Sequence, residues 1–480
     1  MSMRRAVIFS SLERYYGFAV AFVTTIVISR LLTPAEVGAF SVAMSLAGVA
    51  GGLREFGASS FLIRSTNMTR HHQSCAFGLT LLLGGTLGLL MLIMARPIAE
   101  FFGQGDVATL LRILSLNFFL LPLGTVNNAL IQRAMRFDLV ARIGMIAVSL
   151  SFFVSVGLAW LGFGAYSLAW SAVALSGSSA LLSIVWGPEA VVIRPSLRGA
   201  GELIRFGSQT SGLSLLLEVS SRFPDFILGK MQSFDAAGLM SRAMGLAGNL
   251  NDLMLKGLAV VTLSFFSGIE REKGDVIQAH VRVATLVTGL GWPAFIGLAF
   301  FAEPLTLALY GDQWLGIVWP LRILCIQFCC ILPFSFQVQV VMAKDCMPRQ
   351  IRASILSVAI KVVCLTVAAH WGVIGVAIGL LITQIASILI SARMVWPALG
   401  VRWSDYWRGI RPNFLPLGVA VLSSSLALVV ADHQALSRTA LLLGFGLLAG
   451  LAVIGSYFLA GHPLAREAQR ILAELRTKTP

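Results

Sequence analysis

The stretch GAFSVAMSLAG at Gly38–Gly48 is nearly rewritten as GLMSRAMGLAG at Gly238–Gly248. Over the thirteen positions that begin at Gly38 and at Gly238, seven residues are identical, all at an offset of 200. Apolar chains repeat Ala, Gly, Leu and Met by chance, so one such block carries little. A second block adds weight: LRIL at Leu111–Leu114 returns at Leu321–Leu324, an offset of 210. Each copy leads through a polar residue and an aromatic to a proline, Pro122 and Pro333. A third, weaker echo pairs LGFGAYSLAW from Leu161 with WGVIGVAIGL from Trp371. The blocks keep their order and the offsets drift little. A duplicated unit is the better reading.

What is duplicated is apolar. Hydrophobic residues make up 57% of the 480, charged residues only 12%, and the mean hydropathy is +0.84. A soluble domain carries about 25% charged residues, so this chain lacks the means to cover a water-facing surface. Runs of roughly 20 apolar residues, enough to cross a hydrocarbon core of ~30 Å, recur along almost its whole length. Fourteen spans are expected, near 12–31, 36–55, 73–95, 109–131, 140–161, 165–187, 207–229, 236–260, 280–302, 317–342, 353–370, 372–395, 412–431 and 439–460. The runs lack the alternation of a barrel, and lipid cannot satisfy free backbone groups, so helix is the sensible assignment. The expected fold is an all-α polytopic membrane protein.

The net charge of +14 would suggest nucleic acid in a soluble protein. Here its distribution reads as orientation. With a cytoplasmic N-terminus, the inside segments hold 24 Lys and Arg and the outside segments four, Arg30, Arg96, Lys230 and Arg438. Such a bias is what the positive-inside rule gives for both termini inside. The start MSMRR leads into a hydrophobic stretch too long for a signal peptide, so no cleavable signal is expected. The six cysteines show no metal-type spacing and read as small apolar residues.

Six spans separate the copies, and six is even, so both enter from the same side as parallel repeats about an axis along the membrane normal. The expected division is 1–187 for spans 1 to 6, 188–205 for a cytoplasmic linker, and 206–396 for spans 7 to 12. Spans 13 and 14 follow over 397–460, then a cytoplasmic amphipathic tail over 461–480 in which Leu464, Ala468, Ile471, Leu472 and Leu475 share a face. Two such lobes with a path between them are the plan of a transporter.

Eight basic residues fall within the spans or at their edges: Arg14, Arg54, Arg112, Arg222, Arg242, Lys256, Arg322 and Lys361. An intramembrane charge costs at least about 2.5–3.5 kcal/mol at the helix centre, so it faces a wet cavity or a partner. Arg14, Arg112 and Arg322 lie near span ends, where a long side chain snorkels. The centre of span 7 is different. In LLLEVSSRFPDFILGK, Glu218 and Arg222 are spaced i,i+4, and Arg222 and Asp225 i,i+3, which puts all three on one helical face. Either a structural salt bridge or a cavity wall for an anionic ligand or a coupling ion explains them. Arg242, Asp252 and Lys256 on span 8 could extend that wall, and Arg54 divides between interface and cavity. Small-xxx-small pairs, Gly48/Gly52, Gly84/Gly88 and Gly375/Gly379, mark close helix packing. The six histidines are scattered, and the chain has no Walker loop and no catalytic constellation. No enzyme activity and no cofactor are expected.

SRLLTPAEVGAFSVAMSL from Ser29, then REFGASSFLIR from Arg54, NNALIQRAMRFDLVARI from Asn127 and LIRFGSQTSGLSLLLEVSSRFPDFILGK from Leu203 carry a family pattern. Over about residues 1–400 the chain resembles the polysaccharide transporter family, the Wzx-type flippases of the multidrug/oligosaccharidyl-lipid/polysaccharide exporter superfamily. The family often has Asp or Asn where this chain has Arg54–Glu55. The resemblance implies a flippase of a bacterial inner membrane that turns a polyprenyl-pyrophosphate oligosaccharide from the cytoplasmic to the periplasmic leaflet. Its implied partners are the lipid-linked oligosaccharide, membrane lipids, and a polysaccharide polymerase or chain-length regulator, with no nucleic acid. A cation-coupled drug or metabolite exporter of the same superfamily is the alternative. It is expected to rely on acidic cavity residues, whereas cationic ones dominate here. A polymerase or ligase would typically need a longer outside loop than 96–108 or 303–316 offers.

Overall fold

The computed structural model describes residues 3–54, 58–64, 69–187, 194–198, 200–434, 438–459, 462–466 and 469. Within these, the side chains at 3–8, 54, 60, 64, 202, 205–211, 213–214, 256–257, 259–261, 431–434, 438–443 and 445 are not described. The regular structure of the described residues is helical throughout. It forms two compact units, Met1–Leu239 and Met240–Pro480.

The first unit holds α1 (Met3–Leu31), α2 (Pro34–Arg54), the short α3 (Ala58–Arg64), α4 (Arg70–Phe102), α5 (Asp106–Arg133), α6 (Phe137–Trp160), α7 (Ala165–Trp186), α8 (Gly201–Met231) and the start of α9 (Phe234–Arg271). The second holds the rest of α9, then α10 (Val276–Phe300), α11 (Ala302–Leu309), α12 (Val318–Ile331), α13 (Gln337–Ala343), α14 (Met347–Ala368) and α15 (Gly372–Met394). It closes with α16 (Trp396–Leu399), α17 (Trp403–Ile410), α18 (Phe414–Gln434) and α19 (Arg438–Leu459).

Nine stretches among the described residues are long and apolar enough to cross a membrane, and one of them, Met347–Met394, comprises both α14 and α15. Helices α1, α8 and α9, of 29, 31 and 38 residues, have the length but carry charged side chains inside it. The apolar part found in α19 is Gly446–Leu459. Outward-facing side chains are large and apolar, as at Phe153, Trp160, Leu422 and Leu459. That is the inverse of a soluble surface.

The duplication is written into the backbone of each unit. The turn after α5 carries Met135, a non-glycine residue with φ of 56°, and the turn after α13 carries Asp345 with φ of 53°. These positions differ by 210, the offset of the LRIL blocks. The closing hydrogen bonds match donor for donor. Ala134 N to Leu130 O, Met135 N to Gln132 O and Arg136 N to Ile131 O recur as Lys344 N to Val340 O, Asp345 N to Met342 O and Cys346 N to Val341 O. Glycines with positive φ stand at the next turn of each copy too, Gly162 and Gly164 before α7 and Gly372 at the start of α15, and Gly372 (φ 69°, ψ −154°) matches Gly164 (φ 53°, ψ −133°). Such backbone angles favour a residue free of a β-carbon. Neighbour relations follow suit: α4 packs on α5, α5 on α7 and α6 on α7, as α10 packs on α12, α12 on α15 and α14 on α15. The copies differ at the proline. Pro122 sits inside the continuous α5, whereas Pro333 lies in a 3-10 turn, Leu332–Phe334, that divides α12 from α13.

All three small-residue pairs are contact sites. A Cβ on Gly84 or Gly88 would come within 2.8 Å of Pro122 Cγ or Phe119 Cζ of α5, and one on Gly379 within 2.9 Å of Leu365 Cδ2 of α14. On α2 the glycine face takes α8, the helix that hydropathy counts as the first span of the second lobe; in the structure it packs along α2 in the first unit. Gly38 meets Gly238 itself. A Cβ on Gly38 would lie 2.6 Å from Phe234 C and 2.8 Å from Gly238 N, and one on Gly238 would lie 3.0 Å from Gly38 N and Pro34 C. Pro34 and Phe234 stand at the same offset of 200, so the contact is reciprocal. The opening glycines of the repeated block are thus backbone-to-backbone.

Where the sequence reads a linker over 188–205, helix α8 already begins at Gly201. Residues 194–198 lie on α4: Ser196 N donates to Ser74 O at 3.1 Å, and Cys75 Sγ donates to Arg198 O at 2.6 Å. The tail begins differently from a helix laid on a surface. His462 is 1% exposed and Ala465 5%. His462 Nε2 donates to Asn413 Oδ1 at 2.5 Å, and its Nδ1 accepts from Leu464 N at 3.1 Å. Asn413 Nδ2 donates in turn to Thr285 O at 3.0 Å and to Thr288 Oγ1. Ala468, Ile471, Leu472 and Leu475 lie outside the described residues.

Candidate functional site

Helix α8 carries the charges at the centre of span 7. Its spacing puts Glu218, Arg222 and Asp225 on one face, and the structure divides them into a pair and a single residue. Arg222 Nε donates to Glu218 Oε1 at 2.9 Å, and the two side chains remain 37% and 32% exposed. The pair lies over Gly48 of α2, where a Cβ would stand 2.8 Å from Glu218 Oε1 and 3.2 Å from Arg222 Nε. One turn on, a Cβ at Gly52 would stand 3.6 Å from Leu215 Cα and 3.7 Å from Glu218 Cβ. The glycines of α2 therefore make the recess that seats the ion pair.

An i,i+4 pair on a helix adds only about 0.3–0.5 kcal/mol to stability. Its chemistry matters more than its energy. Glu218 holds the guanidinium by Nε, and among the described residues the terminal nitrogens of Arg222 make no hydrogen bond. Two parallel N–H donors on a planar cation are suited to two oxygens of one phosphate.

Asp225, one turn beyond Arg222, is 8% exposed, and its Oδ1 makes no hydrogen bond. Pro224 beside it removes one helical N–H from the same stretch. A buried carboxylate with a free oxygen requires a countercharge or a proton. Asp225 makes no hydrogen bond to the Arg222–Glu218 pair, though the Arg222 guanidinium one turn away acts on its charge.

Arg242 belongs to the second unit. Its guanidinium lies 5.6 Å from the ring centroid of the fully buried Trp314, and its Nε is shut off from solvent with no hydrogen bond. The nearby Tyr310 hydroxyl is also buried without a hydrogen bond. Arg54 and Lys256 stand in α2 and α9 with side chains outside the described residues. Of the edge cations, Arg112 is exposed, while Arg322 donates to Ala299 O at 3.2 Å and lies 4.9 Å from the Trp319 centroid.

Two features escape the sequence. Glu13 of α1 is half-buried against Gly144 of α6, where a Cβ would lie 3.0 Å from Glu13 Cδ. Its position beside Arg14 makes it look like half of an interfacial pair. Gly48 is the other: a small-xxx-small spacing reports close packing and gives no hint that a charge is what packs there.

The succinoglycan biosynthesis transport protein ExoT of Rhizobium meliloti is 29% identical over 327 residues, 66% of this chain, and the match spans 64% of that protein's length. The lipopolysaccharide biosynthesis protein WzxC of Escherichia coli is 23% identical over 488 residues, covering 98% of this chain and 97% of its own. Among solved structures, the lipid II flippase MurJ in an inward closed conformation superposes with a TM-score of 0.74 over 96% of this chain and 99% of its own. At 14% identity that likeness is one of fold. Residues 27–319, more than half of the sequence, match the polysaccharide biosynthesis protein family, and this chain belongs to that family.

Proposed function

We propose that the protein is a flippase for polyprenyl-pyrophosphate-linked oligosaccharides. It carries them from the cytoplasmic to the periplasmic leaflet of a bacterial inner membrane for surface polysaccharide synthesis. The observation that carries this reading is Arg222, a half-open guanidinium with two uncommitted nitrogens in the middle of an apolar helix bundle. A diphosphate head supplies the oxygens such a group accepts, while a polyprenyl tail stays among apolar spans. The names of the relatives, a transport protein and a lipopolysaccharide biosynthesis protein, agree with that cargo class.

In this reading α1, α8, α9 and α19 also cross the membrane, giving fourteen spans in two lobes that alternate access, with both termini cytoplasmic. Cation coupling draws on Asp225, whose buried free oxygen takes a proton or metal cation. An exporter of drugs or metabolites would share that coupling but not the cargo. A polysaccharide polymerase or chain-length regulator receives the product outside.

Two experiments test the proposal. Cells making Arg222→Ala at normal levels should trap lipid-linked oligosaccharide on the cytoplasmic leaflet; export at the parental rate would make Arg222 structural. A cysteine at the exposed Ser404, in a cysteine-free background, should resist an impermeant maleimide in intact cells. Efficient labelling would invert the orientation.

A further inference from the structure

The second unit contains a cavity of about 460 Å³ whose walls are apolar, bounded by α10, α12, α15, α17 and α18. Trp292, Cys329, Ile385, Leu389, Trp403 and Phe414 are among its lining residues. The indole N–H of Trp292 is spent within the lining, donating to Cys329 O at 2.8 Å. Ile385, Leu389, Trp403 and Phe414 are each 42–57% exposed, so the cavity is open at the surface.

Its depth follows from the helices. Helix α17 is fixed beside the early turns of α10: Tyr406 Oη bonds His280 Nδ1 at 3.0 Å, and Thr285 Oγ1 donates to Gly409 O at 2.9 Å. Trp292 lies two turns beyond Thr285, about 10 Å along α10 at ~1.5 Å per residue. Ile385 and Leu389 lie about 7–14 Å before the end of α15 by the same rise. The cavity therefore begins at the level of α17 and fills one leaflet's share of a core about 30 Å thick.

Helix α17 has the chemistry of an interface. Tyr406 and Ile410 are buried, while Trp403 and Trp407, one turn apart, are 53% and 62% exposed. Arg402, Arg408 and Arg411 flank them, all exposed. The one acid of the segment, Asp405, accepts from Arg402 N at 3.0 Å and lies 3.4 Å from Arg408, which stays 77% exposed. Tryptophans at headgroup depth and a surplus of arginine mark a helix lying in a membrane surface of negative charge.

We propose that this cavity binds one acyl chain of an anionic phospholipid of the cytoplasmic leaflet, with its phosphate held by Arg402, Arg408 and Arg411. The choice of leaflet rests on the orientation proposed above; the choice of lipid rests on the cavity and the three cations. Such a lipid wedges α17 against α10, α12 and α15.

The test is lipid retention by the full-length protein, purified from nanodiscs of phosphatidylglycerol or phosphatidylethanolamine and weighed by native mass spectrometry. One phosphatidylglycerol should remain per chain, and phosphatidylethanolamine should wash away. Retention should weaken about fivefold for each arginine replaced in the series R402Q, R408Q, R411Q, the factor that ~1 kcal/mol per basic residue sets. Leu389→Trp, and separately Ile385→Trp, should fill the mouth and abolish retention while gel filtration and melting stay normal. Equal retention of both lipids, or retention unchanged by the arginine series or by both tryptophans, would overturn the site. A polyprenyl diphosphate as the retained mass would overturn the lipid assigned to it. Labelling of a Ser404 cysteine from outside, with retention intact, would overturn the leaflet alone.

Discussion

Gly38→Ala opposes two effects whose sum can be signed from the structure. Gly38 lies inside α2, where alanine is favoured over glycine by about 0.5–1 kcal/mol because less backbone entropy is lost. A Cβ there would stand 2.6 Å from Phe234 C and 2.8 Å from Gly238 N, both backbone atoms. The Phe234 carbonyl oxygen is nearer still, and carbon contacts settle at about 3.5–4.0 Å, so the two backbones must part by roughly 1.5–2 Å. Overpacking of that kind costs about 1–3 kcal/mol, and the upper end applies where no side chain can rotate away. The net is destabilisation by about 2–2.5 kcal/mol, with Gly238→Ala acting in the same direction. The double variant should cost less than the sum, because the first separation makes room for the second methyl. Gly51→Ala is the control: it lies on the same helix with nothing within 4 Å of the new Cβ, and propensity alone should raise stability. Thermal unfolding in one detergent at one scan rate reads the four variants beside the parent. A midpoint for Gly38→Ala at or above the parent would refute the backbone contact between the repeated blocks.

Gly48→Ala has the opposite profile, because its new methyl meets the movable ends of Glu218 and Arg222. Stability should stay within about 0.5 kcal/mol of the parent while transport falls; a variant that transports normally would separate the recess from function. Arg222→Lys keeps the charge but loses the planar fork, so flipping should drop although the protein folds, and an unchanged rate would argue against bidentate phosphate contact. Burial, and after it the nearby Arg466, hold the His462 imidazole below its ordinary value near 6.5. The unfolded chain therefore takes the proton first, so tail docking is complete above about pH 6.5 and weakens as the pH falls below it. Protonation also removes the Nδ1 acceptor of Leu464 N. His462→Ala should lower stability by about 1–3 kcal/mol through the orphaned Asn413 oxygen and flatten this pH dependence of melting. An equal slope in the variant would assign the dependence to another group.

Much of the fold was legible because membrane sequences declare helices by length. The duplication was legible through LRIL and the glycine blocks; the matching left-handed turns at Met135 and Asp345 add to it, although Lys273 closes α9 with the same bonds, and a methionine gives no turn signal. The ion pair was legible as a local i,i+4 spacing. Its seat was not, since Gly48 is some 170 residues away from Glu218 and spacing reports a packing face without naming the partner helix. Asp225 looked equivalent to Glu218 by helical face, yet one is buried and the other half-open. That difference is set by neighbouring helices. At the start of the tail the sequence was equally mute: an apolar position reads the same whether it meets lipid or, as at Leu464, the Cβ-free surface of Gly289.

The central claim is that this chain moves a lipid-linked oligosaccharide between leaflets and that Arg222 holds its diphosphate. Proteoliposomes containing the purified protein and a fluorescent polyprenyl-pyrophosphate oligosaccharide, probed by an impermeant enzyme that cleaves only outward-facing sugar, test it directly. The account predicts that the parent protein brings protected sugar to the cleavable face, and that Arg222→Ala, incorporated to the same level, leaves it protected. Equal exposure by the two proteins, or none by either under an imposed proton or sodium gradient, would contradict it.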